Sequence, residues 1–390
     1  MFRMGKEEIE AVKTVIKSTD LFRINNNARE VDHFEEEWAA KIGTKYALGL
    51  TSGTAALITS LAALGIGPGD EVIVPGYTFM ATASAVLSVG AIPVIVEVDE
   101  TLTIDPCEIE KKITKFTKAI IPVHLNGFPC DMDRIMQLAK KYDLKIVEDA
   151  CQADGGSYKG MRLGSIGDIG TFSFNYYKII SSGEGGALVT NDKLLYQRAL
   201  VYHDSGSNFR PYSGELTFPI FVGAQYRSNE ILGAILREQV KKLDGILLDL
   251  RRVKKTFMDI LSEEKGIKFV KSNDVQGDCG IIVALSFEAE ELARRFAKSA
   301  GVNGRLPIDS GKHVYINWTP ILEKNVGHHP AVNPYYMPQN KGLQSNYSKD
   351  MCPVTLGLLS RTVFIDVRPN WSDDEIKERI SSCKKAALAL

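Results

Sequence analysis

Lys178 is the residue whose position in the sequence first suggests chemistry. It lies in the stretch TFSFNYYKIISSGEGGALVTND, which reads as a strand, the lysine, a glycine-rich turn and a second strand. Aromatic residues precede Lys178, and no obvious carboxylate lies close to it in sequence. A lysine held in such a place loses its proton more readily, and its amine can form a Schiff base with a carbonyl compound. A solvated loop lysine explains this stretch equally well when it is taken alone.

Two further motifs supply groups that complement such a lysine. The motif TSGTAAL places Ser52, Gly53 and Thr54 at a helix start, where free amides and the helix dipole suit a phosphate, although a simple N-cap is the alternative. Asp149 follows the run LKIV and is expected at the end of a buried strand. Its carboxylate there needs a positive partner, such as a protonated pyridine nitrogen or an ordinary structural cation. Phosphate, ring nitrogen and Schiff-base lysine together are the requirements of pyridoxal 5′-phosphate (PLP).

The elements that must position these residues alternate between strand and helix over the first three quarters of the chain. The runs at residues 72–74, 119–121 and 145–147 are continuous rather than alternating in polarity, which is typical of parallel strands buried on both faces. This pattern predicts an α/β fold with a doubly wound, mostly parallel sheet, whose ligand lies at the carboxyl ends of the strands.

The pattern changes near Asn229. One long helical segment begins there and is followed by shorter strands, a loop-rich stretch and a last helix. We therefore predict a large cofactor-binding domain with an N-terminal helix over residues 1–245, and a smaller C-terminal α/β domain over residues 246–390.

Composition excludes several classes of function. Among the 390 residues, 47 Lys and Arg balance 48 Asp and Glu, which argues against a nucleic-acid surface. The six cysteines include no C-x-x-C pair, and His328 and His329 have no third ligand nearby in sequence, so no metal site is predicted. No signal peptide is recognised and the longest apolar runs are strand-length, so we expect a cytoplasmic enzyme without a membrane span.

As a set, the motifs resemble those of the DegT/DnrJ/EryC1/StrS sugar aminotransferases, which have the fold-type I architecture of aspartate aminotransferase. The resemblance rests on SGTAAL, GDEVIVPGYTFMATASAV, IPVHLNGFPCDMD, VEDACQADGGSYKG, GDIGTFSFNYYK and GEGGALVTND. It implies PLP-dependent transfer of an amino group from L-glutamate or L-glutamine, through pyridoxamine 5′-phosphate, to a keto- or aldehyde-sugar. The pathway would be nucleotide-sugar, cell-surface polysaccharide or natural-product biosynthesis. A looser resemblance, in INWTPILEKN among others, is to the 8-amino-3,8-dideoxy-octulosonate transaminases.

The resemblance also implies roles for individual residues. Lys178 would carry the cofactor and move the proton between carbon atoms, and Asp149 would hold the pyridine nitrogen. Family members are usually homodimers with two shared sites, so Gln225, and less directly Arg227, would reach the cofactor phosphate of the second copy. The other implied cofactor contacts are Gln152 with the ring hydroxyl, Phe79 stacked on the ring, and Gly53, Thr54 and Ser173 with the phosphate.

Contacts with the substrate are harder to read. His203, Arg227 and Trp318 are candidates, with core packing as the alternative for Trp318. Arg305 and Lys312 are candidates for a substrate carboxylate or phosphate, with solvated loop cations as the alternative.

Three rival functions follow from the same resemblance. A PLP- or pyridoxamine-phosphate-dependent dehydratase is disfavoured because such relatives carry His in place of Lys178. An aminotransferase for a cyclitol or another non-sugar ketone stays open. A non-catalytic PLP-binding regulator is disfavoured by the retained Asp149 and Lys178.

Overall fold

The computed structural model describes residues 2–24, 28–207 and 214–390. Its helices are α1 (Lys6–Ser18), α2 (Glu30–Ile42), α3 (Gly53–Leu64), α4 (Ala81–Ser88), α5 (Pro106–Lys112), α6 (Met132–Tyr142), α7 (Lys193–His203), α8 (Glu230–Leu261), α9 (Glu290–Lys298), α10 (Thr319–Leu322), α11 (Pro353–Ser360) and α12 (Asp373–Leu388). Its strands are β1 (Tyr46–Leu50), β2 (Glu71–Pro75), β3 (Ile92–Val96), β4 (Thr117–Ile120), β5 (Lys145–Asp149), β6 (Ser157–Tyr158), β7 (Met161–Arg162), β8 (Ile169–Ser173), β9 (Gly186–Thr190), β10 (Lys268–Phe269), β11 (Ile282–Ser286) and β12 (Thr362–Asp366).

The large sheet of the described chain has seven strands in the order β1-β9-β8-β5-β4-β2-β3. Strand β9 runs antiparallel to its neighbours β1 and β8, whereas the other neighbouring strands pair in parallel. Strands β2, β3, β8 and β9 are buried along their whole length. Of the predicted runs at residues 72–74, 119–121 and 145–147, all residues except Lys145 are buried. The prediction of an α/β fold with a large, mostly parallel sheet is confirmed.

The carboxyl end of this sheet is where the chemical motifs meet. Asp149 ends β5 and pairs with Thr171 of β8, while Ser52 caps the N-terminus of α3 through a 3.1 Å bond from the Ala55 amide to its hydroxyl. The first residue of β9, Gly186, packs against the Ser52 backbone so closely that a Cβ would lie 2.3 Å from it. The start of α3 is therefore held against the beginning of β9.

A second, three-stranded antiparallel sheet has the order β10-β11-β12. Helix α8 connects the two sheets without interruption. Leu243 packs against Gly155 below the large sheet, whereas Leu250 packs against Gly280, which precedes β11. The predicted boundary between residues 245 and 246 thus falls inside α8, and the division into two domains there remains a prediction.

The described ranges contain no helix that is both long and apolar enough to cross a membrane. They also contain no group of three or more His, Cys, Asp or Glu side chains that is arranged to hold a metal ion.

Candidate active site

Two cavities meet at Lys178 and Gln152, which line both of them. The smaller cavity has a volume of about 160 Å³ and lies at the carboxyl end of the large sheet. Seven of the eight predicted cofactor contacts line it: Gly53, Thr54, Phe79, Asp149, Gln152, Ser173 and Lys178. We call it the cofactor cavity, and we call the larger one, of about 810 Å³, the substrate cavity.

Lys178 is half-buried in a tight loop between β8 and β9. Its amide donates a 3.1 Å hydrogen bond to the carbonyl oxygen of Asn175. The carbonyl oxygen of Phe174 accepts two bonds from the far side of the loop, from the Ser182 amide at 3.0 Å and the Ser181 hydroxyl at 3.1 Å. Gly183 then turns the chain with a φ of +89°, a conformation that glycine adopts without strain. This network fixes the lysine backbone where its side chain can reach both cavities.

Asp149 is a buried carboxylate, with only 5% of its surface exposed. Its Oδ2 accepts a 2.8 Å bond from the Thr82 hydroxyl, and its Oδ1 accepts a 3.2 Å bond from the Cys151 amide. The Thr82 hydroxyl in turn lies 2.8 Å from that of Thr78. No cation in the described chain forms an ion pair with Asp149. A buried carboxylate that lines a cavity without a cationic partner fits a protonated pyridine nitrogen.

The start of α3 forms a cradle for an anion. The amides of Gly53 and Thr54 make no hydrogen bond within the described residues, because Ser52 accepts only from later amides of the helix. A Cβ on Gly53 would lie 2.7 Å from Sγ of Cys151 and 2.8 Å from Cβ of Ser173, so glycine is needed at this position. Free amides at a helix N-terminus, with the Ser173 hydroxyl beside them, are groups that hold a phosphate.

Gln152 lines both cavities and Phe79 lines the cofactor cavity, and both contact His313. The rings of Phe79 and His313 are 5.3 Å apart and tilted by 52°. The side-chain nitrogen of Gln152 lies 3.3 Å from Nε2 of His313. The side-chain oxygen of Gln152 accepts a 3.2 Å hydrogen bond from the main-chain amide of Asn126. Phe79 keeps 43% of its surface exposed, which leaves the ring accessible to a planar ligand.

The substrate cavity has a mixed lining of aromatic, aliphatic, polar and cationic side chains. Nδ2 of Asn126 donates a 3.2 Å bond to the Tyr77 hydroxyl, and burial raises the pKa of Tyr77 to about 12, so this phenol is protonated at neutral pH. The lining comprises Phe2, Arg3, Tyr77, Asn126, Gln152, Tyr176, Tyr177, Lys178, Ile179, Ile281, Ile282, Arg305, Ser310, His313, Asp366, Val367, Arg368, Pro369 and Asn370.

Five predicted contacts line neither cavity, and Lys312 is one of them. His203 is fully buried at the end of α7, where its Nδ1 donates a 2.6 Å bond to the Leu200 carbonyl oxygen. Trp318 is also fully buried, and its Nε1 donates a 2.8 Å bond to the Lys312 carbonyl oxygen. Arg227 forms an ion pair with Asp204. Gln225 is exposed and therefore free to contact a second copy of the chain.

The described residues fit PLP. The half-buried amine of Lys178 faces a cavity that also offers an unpaired buried carboxylate and a phosphate cradle. Asp149 would hold the ring nitrogen, the start of α3 and Ser173 would hold the phosphate, and Phe79 would cover one face of the ring.

Comparison of the sequence with known proteins also points to an aminotransferase. Residues 3–306 match the model of the DegT/DnrJ/EryC1/StrS aminotransferase family. The chain is 42% identical to GDP-perosamine synthase of Caulobacter vibrioides over 61% of this chain and 64% of that protein. It is 33% identical to the spore coat polysaccharide biosynthesis protein SpsC of Bacillus subtilis over 98% of this chain and 94% of that protein.

A solved structure shares the whole fold. DesV of S. venezuelae, determined in complex with a ketimine intermediate, superposes with a TM-score of 0.78 at 30% identity, covering 98% of this chain and 94% of that one. The chain therefore belongs to the DegT/DnrJ/EryC1/StrS aminotransferase family. The predictions of the family, of the fold-type I architecture and of a PLP-dependent aminotransferase are confirmed.

Several residues of the site were not predicted from the sequence. Thr82, His313 and Arg368 line the cavities, yet nothing in their local sequence singles them out. The contact of Thr82 with Asp149 could be predicted only from the packing of α4 beside the end of β5. His313 and Arg368 come from loops of the C-terminal part, whose approach to the large sheet is set by tertiary packing.

Proposed function

We propose that this PLP-dependent aminotransferase moves an amino group from L-glutamate or L-glutamine to a keto- or aldehyde-sugar. The observation that carries the proposal is the position of Lys178, which lines both the cofactor cavity and the substrate cavity of about 810 Å³. That second cavity is large enough for a sugar, and its lining combines aromatic and aliphatic side chains with amide, hydroxyl and guanidinium groups.

The reaction requires that one group take a proton from the donor carbon and that a proton later reach the acceptor carbon. Nζ of Lys178 is the base and acid for both transfers, because it is the amine shared by the two cavities. Asp149, which accepts hydrogen bonds from the Thr82 hydroxyl and the Cys151 amide, would hold the ring nitrogen. When bound, PLP supplies the electron sink for the carbon that loses its proton.

The sugar acceptor is supported by the relatives. One is named for the synthesis of GDP-perosamine and another for spore coat polysaccharide biosynthesis. A role in nucleotide-sugar, cell-surface polysaccharide or natural-product biosynthesis fits both names. The lysine at position 178 disfavours the dehydratase alternative.

We further propose that the working form is a homodimer with shared sites. Beside the lysine, Tyr176 and Tyr177 expose 65% and 77% of their surfaces, and Val222 exposes 87%. Exposed side chains of this size are suited to contact a second copy of the chain, and Tyr176 and Tyr177 also line the substrate cavity. Gln225 lies three residues beyond Val222 and is exposed, so it is the group we expect to reach the second copy's cofactor.

The decisive experiment is the absorbance spectrum of the PLP-loaded protein before and after addition of L-glutamate or, separately, L-glutamine. We expect the visible band to be lost and 2-oxoglutarate, or the corresponding oxo acid, to be released. Lys178→Ala should abolish both changes, whereas Lys265→Ala, on an exposed turn after α8, should react as the wild type does. A visible band that neither donor alters would refute the transfer, and light scattering that shows a monomer would refute the dimer.

A further inference from the structure

His313 is held beside the cofactor cavity by its own main chain. The carbonyl oxygen of His313 accepts a 2.9 Å hydrogen bond from the Thr78 amide, and that of Lys312 accepts a 3.0 Å bond from the Met80 amide. These two bonds join the segment that carries His313 to the segment that carries Phe79. The imidazole, whose centre is 5.3 Å from that of the Phe79 ring, therefore has a fixed place at the edge of the cavity.

A chain of three hydrogen bonds runs through the side chains of Gln152 and His313. The main-chain amide of Asn126 donates a 3.2 Å bond to the side-chain oxygen of Gln152. The side-chain nitrogen of Gln152 lies 3.3 Å from Nε2 of His313, and Nδ1 of His313 lies 3.3 Å from the carbonyl oxygen of Ser310. Both ends of the chain are main-chain groups, of which the amide can only donate and the carbonyl oxygen can only accept. The direction of the middle bond is thereby fixed, and Gln152 donates to Nε2 of His313.

This arrangement determines which way the Gln152 carboxamide faces. A carboxamide has one oxygen and two N–H donors, and here the oxygen is bonded to Asn126 and one N–H to His313. The other N–H has no partner within the described residues. Because Gln152 lines the cofactor cavity, this N–H is available to an acceptor there, such as the ring hydroxyl oxygen that the family resemblance assigns to Gln152. A carboxamide turned by half a revolution would set two donors against each other at Asn126 and two acceptors at His313.

The groups around His313 keep its ring in the uncharged form that can accept this bond. Burial, followed by the charges of Lys178 and Arg305, lowers the pKa of His313. The carboxylate of Asp366, in the same cavity, is paired with Arg305. The carboxylates that line the cofactor cavity, but not the substrate cavity, are those of Asp149 and Glu184. The remaining ionisable side chains of the substrate cavity are those of Arg3, Tyr77, Tyr176, Tyr177 and Arg368.

We propose that His313 is a positioning residue, which accepts a hydrogen bond from Gln152 and so holds the free N–H of that carboxamide towards the PLP ring. Its effect on the cofactor passes through Gln152 rather than through direct contact. The inference rests on the PLP site of the proposed function, and it concerns how the cofactor is oriented rather than which sugar is aminated.

The test measures the dissociation constant of PLP by spectroscopic titration after the cofactor has been removed. His313→Phe keeps a planar ring beside Phe79 but offers no acceptor, and we expect it to raise the dissociation constant about 5- to 10-fold. His313→Gln supplies a carboxamide oxygen in place of Nε2 and should recover most of the affinity. His328→Phe is the matched control, because it removes an exposed histidine that lines neither cavity, and it should bind PLP as the wild type does.

A double-mutant cycle separates positioning from a purely structural role. In a Gln152→Ala background, His313→Phe should change the dissociation constant of PLP by less than about 2-fold, because no carboxamide is left for the ring to orient. An equal loss of affinity with and without Gln152 would show that His313 acts independently of Gln152, and would overturn the inference.

The pH dependence of PLP binding is the second readout. Protonation makes Nε2 of His313 a donor, so the affinity of the wild type should fall relative to that of His313→Gln between about pH 7.5 and about pH 5.5. The ratio of the two affinities removes the titrations that both proteins share. A constant ratio, or equal affinities of the wild type and His313→Phe, would overturn this inference alone. A wild type that does not bind PLP would overturn the proposed function as well.

Discussion

The side-chain amide nitrogen of Gln152 lies 3.3 Å from Nε2 of His313, so the segment after β5 contacts the loop before α10 where the two cavities meet. Nδ1 of His313 lies 3.3 Å from the Ser310 carbonyl oxygen, which can only accept a hydrogen bond. The ring proton is therefore on Nδ1, and Nε2 accepts from Gln152. This tautomer is neutral, in agreement with a pKa that burial lowers from the ordinary value of 6.5.

Acidification should weaken this contact. Because the pKa of His313 is lower in the folded state, the unfolded chain binds more protons in the interval below pH 6.5, and stability is lost as the pH falls through that interval towards the folded pKa. His313→Gln lacks this titration. We expect the difference in unfolding free energy between wild type and His313→Gln to change in favour of the variant between pH 7.5 and pH 5. Urea unfolding of the cofactor-free proteins measures it, and parallel pH curves would contradict it.

Thr82 should matter more to cofactor binding than its neutral side chain suggests. Its hydroxyl donates to Oδ2 of Asp149, and valine has the same shape without the donor. We expect Thr82→Val to raise the dissociation constant for PLP about 10-fold, roughly 1.4 kcal/mol, because the carboxylate loses a charge-assisted bond.

The matched control for Thr82→Val is Thr59→Val. Thr59 is also fully buried, but its hydroxyl has no hydrogen-bond partner in the described chain, so the substitution removes no bond. A spectroscopic titration with PLP compares the three proteins. Equal affinities for Thr82→Val and the wild type would show that Asp149 does not depend on this donor.

The contrast between Asp149 and His313 shows what the sequence can predict. Asp149 follows an apolar run, and in an α/β fold the end of such a strand is a ligand site, so local pattern and fold class together locate it. The same reasoning located Gly53, at a helix start, and Lys178, before a glycine-rich turn. His313 lies in a loop without periodicity, and its contact with Gln152 spans 161 residues of sequence.

The chemical type of a side chain predicted its place in the site less well than its position relative to strands and helices did. Trp318 and His203 suggested substrate contacts because their rings can stack or exchange protons, yet both are fully buried and bonded to backbone carbonyl oxygens. Whether a large ring packs in the core or lines a cavity depends on which element covers it. Their role in binding stays a prediction, as does that of Gln225, which depends on a second copy of the chain.

Gly53 should tolerate no side chain. A Cβ there would overlap Sγ of Cys151 and Cβ of Ser173, and the second of these cannot move without shifting the end of β8. We expect Gly53→Ala to destabilise the protein by about 1–3 kcal/mol and to weaken PLP binding more than 10-fold, because α3 would move away from the sheet.

Gly357 is the control for that substitution. It lies within α11, where a Cβ would meet nothing within 4 Å, so Gly357→Ala should stabilise the protein by about 0.5–1 kcal/mol. Thermal unfolding with and without PLP compares the two variants. A Gly53→Ala protein with the melting temperature and PLP affinity of the wild type would show that the start of α3 can accommodate a Cβ.

Asp154 is an acidic residue in the interior of the described chain. It is fully buried, and neither of its carboxylate oxygens has a hydrogen-bond partner there. Burial raises its pKa well above the usual value, and the positive charge of Lys178 and the facing amides of Ile180 and Ile179 offset this only in part. The folded state therefore holds a proton that the unfolded chain releases above its ordinary pKa of 3.8. Stability is greatest below that value and is lost as the pH rises towards the folded pKa.

Asp154→Asn should remove the loss of folding stability that accompanies a rise in pH. We expect the cofactor-free variant to be more stable than the wild type by about 1–3 kcal/mol at pH 8, with the difference vanishing towards pH 4, as measured by urea unfolding across that range. Asp278→Asn is the opposite control, because Asp278 is equally buried but accepts a 2.7 Å bond from Nζ of Lys254, which the substitution would leave unpaired. That variant should be less stable than the wild type at neutral pH. If Asp154→Asn were instead less stable than the wild type, the result would show that a neighbouring group stabilises the charged form of the Asp154 carboxylate.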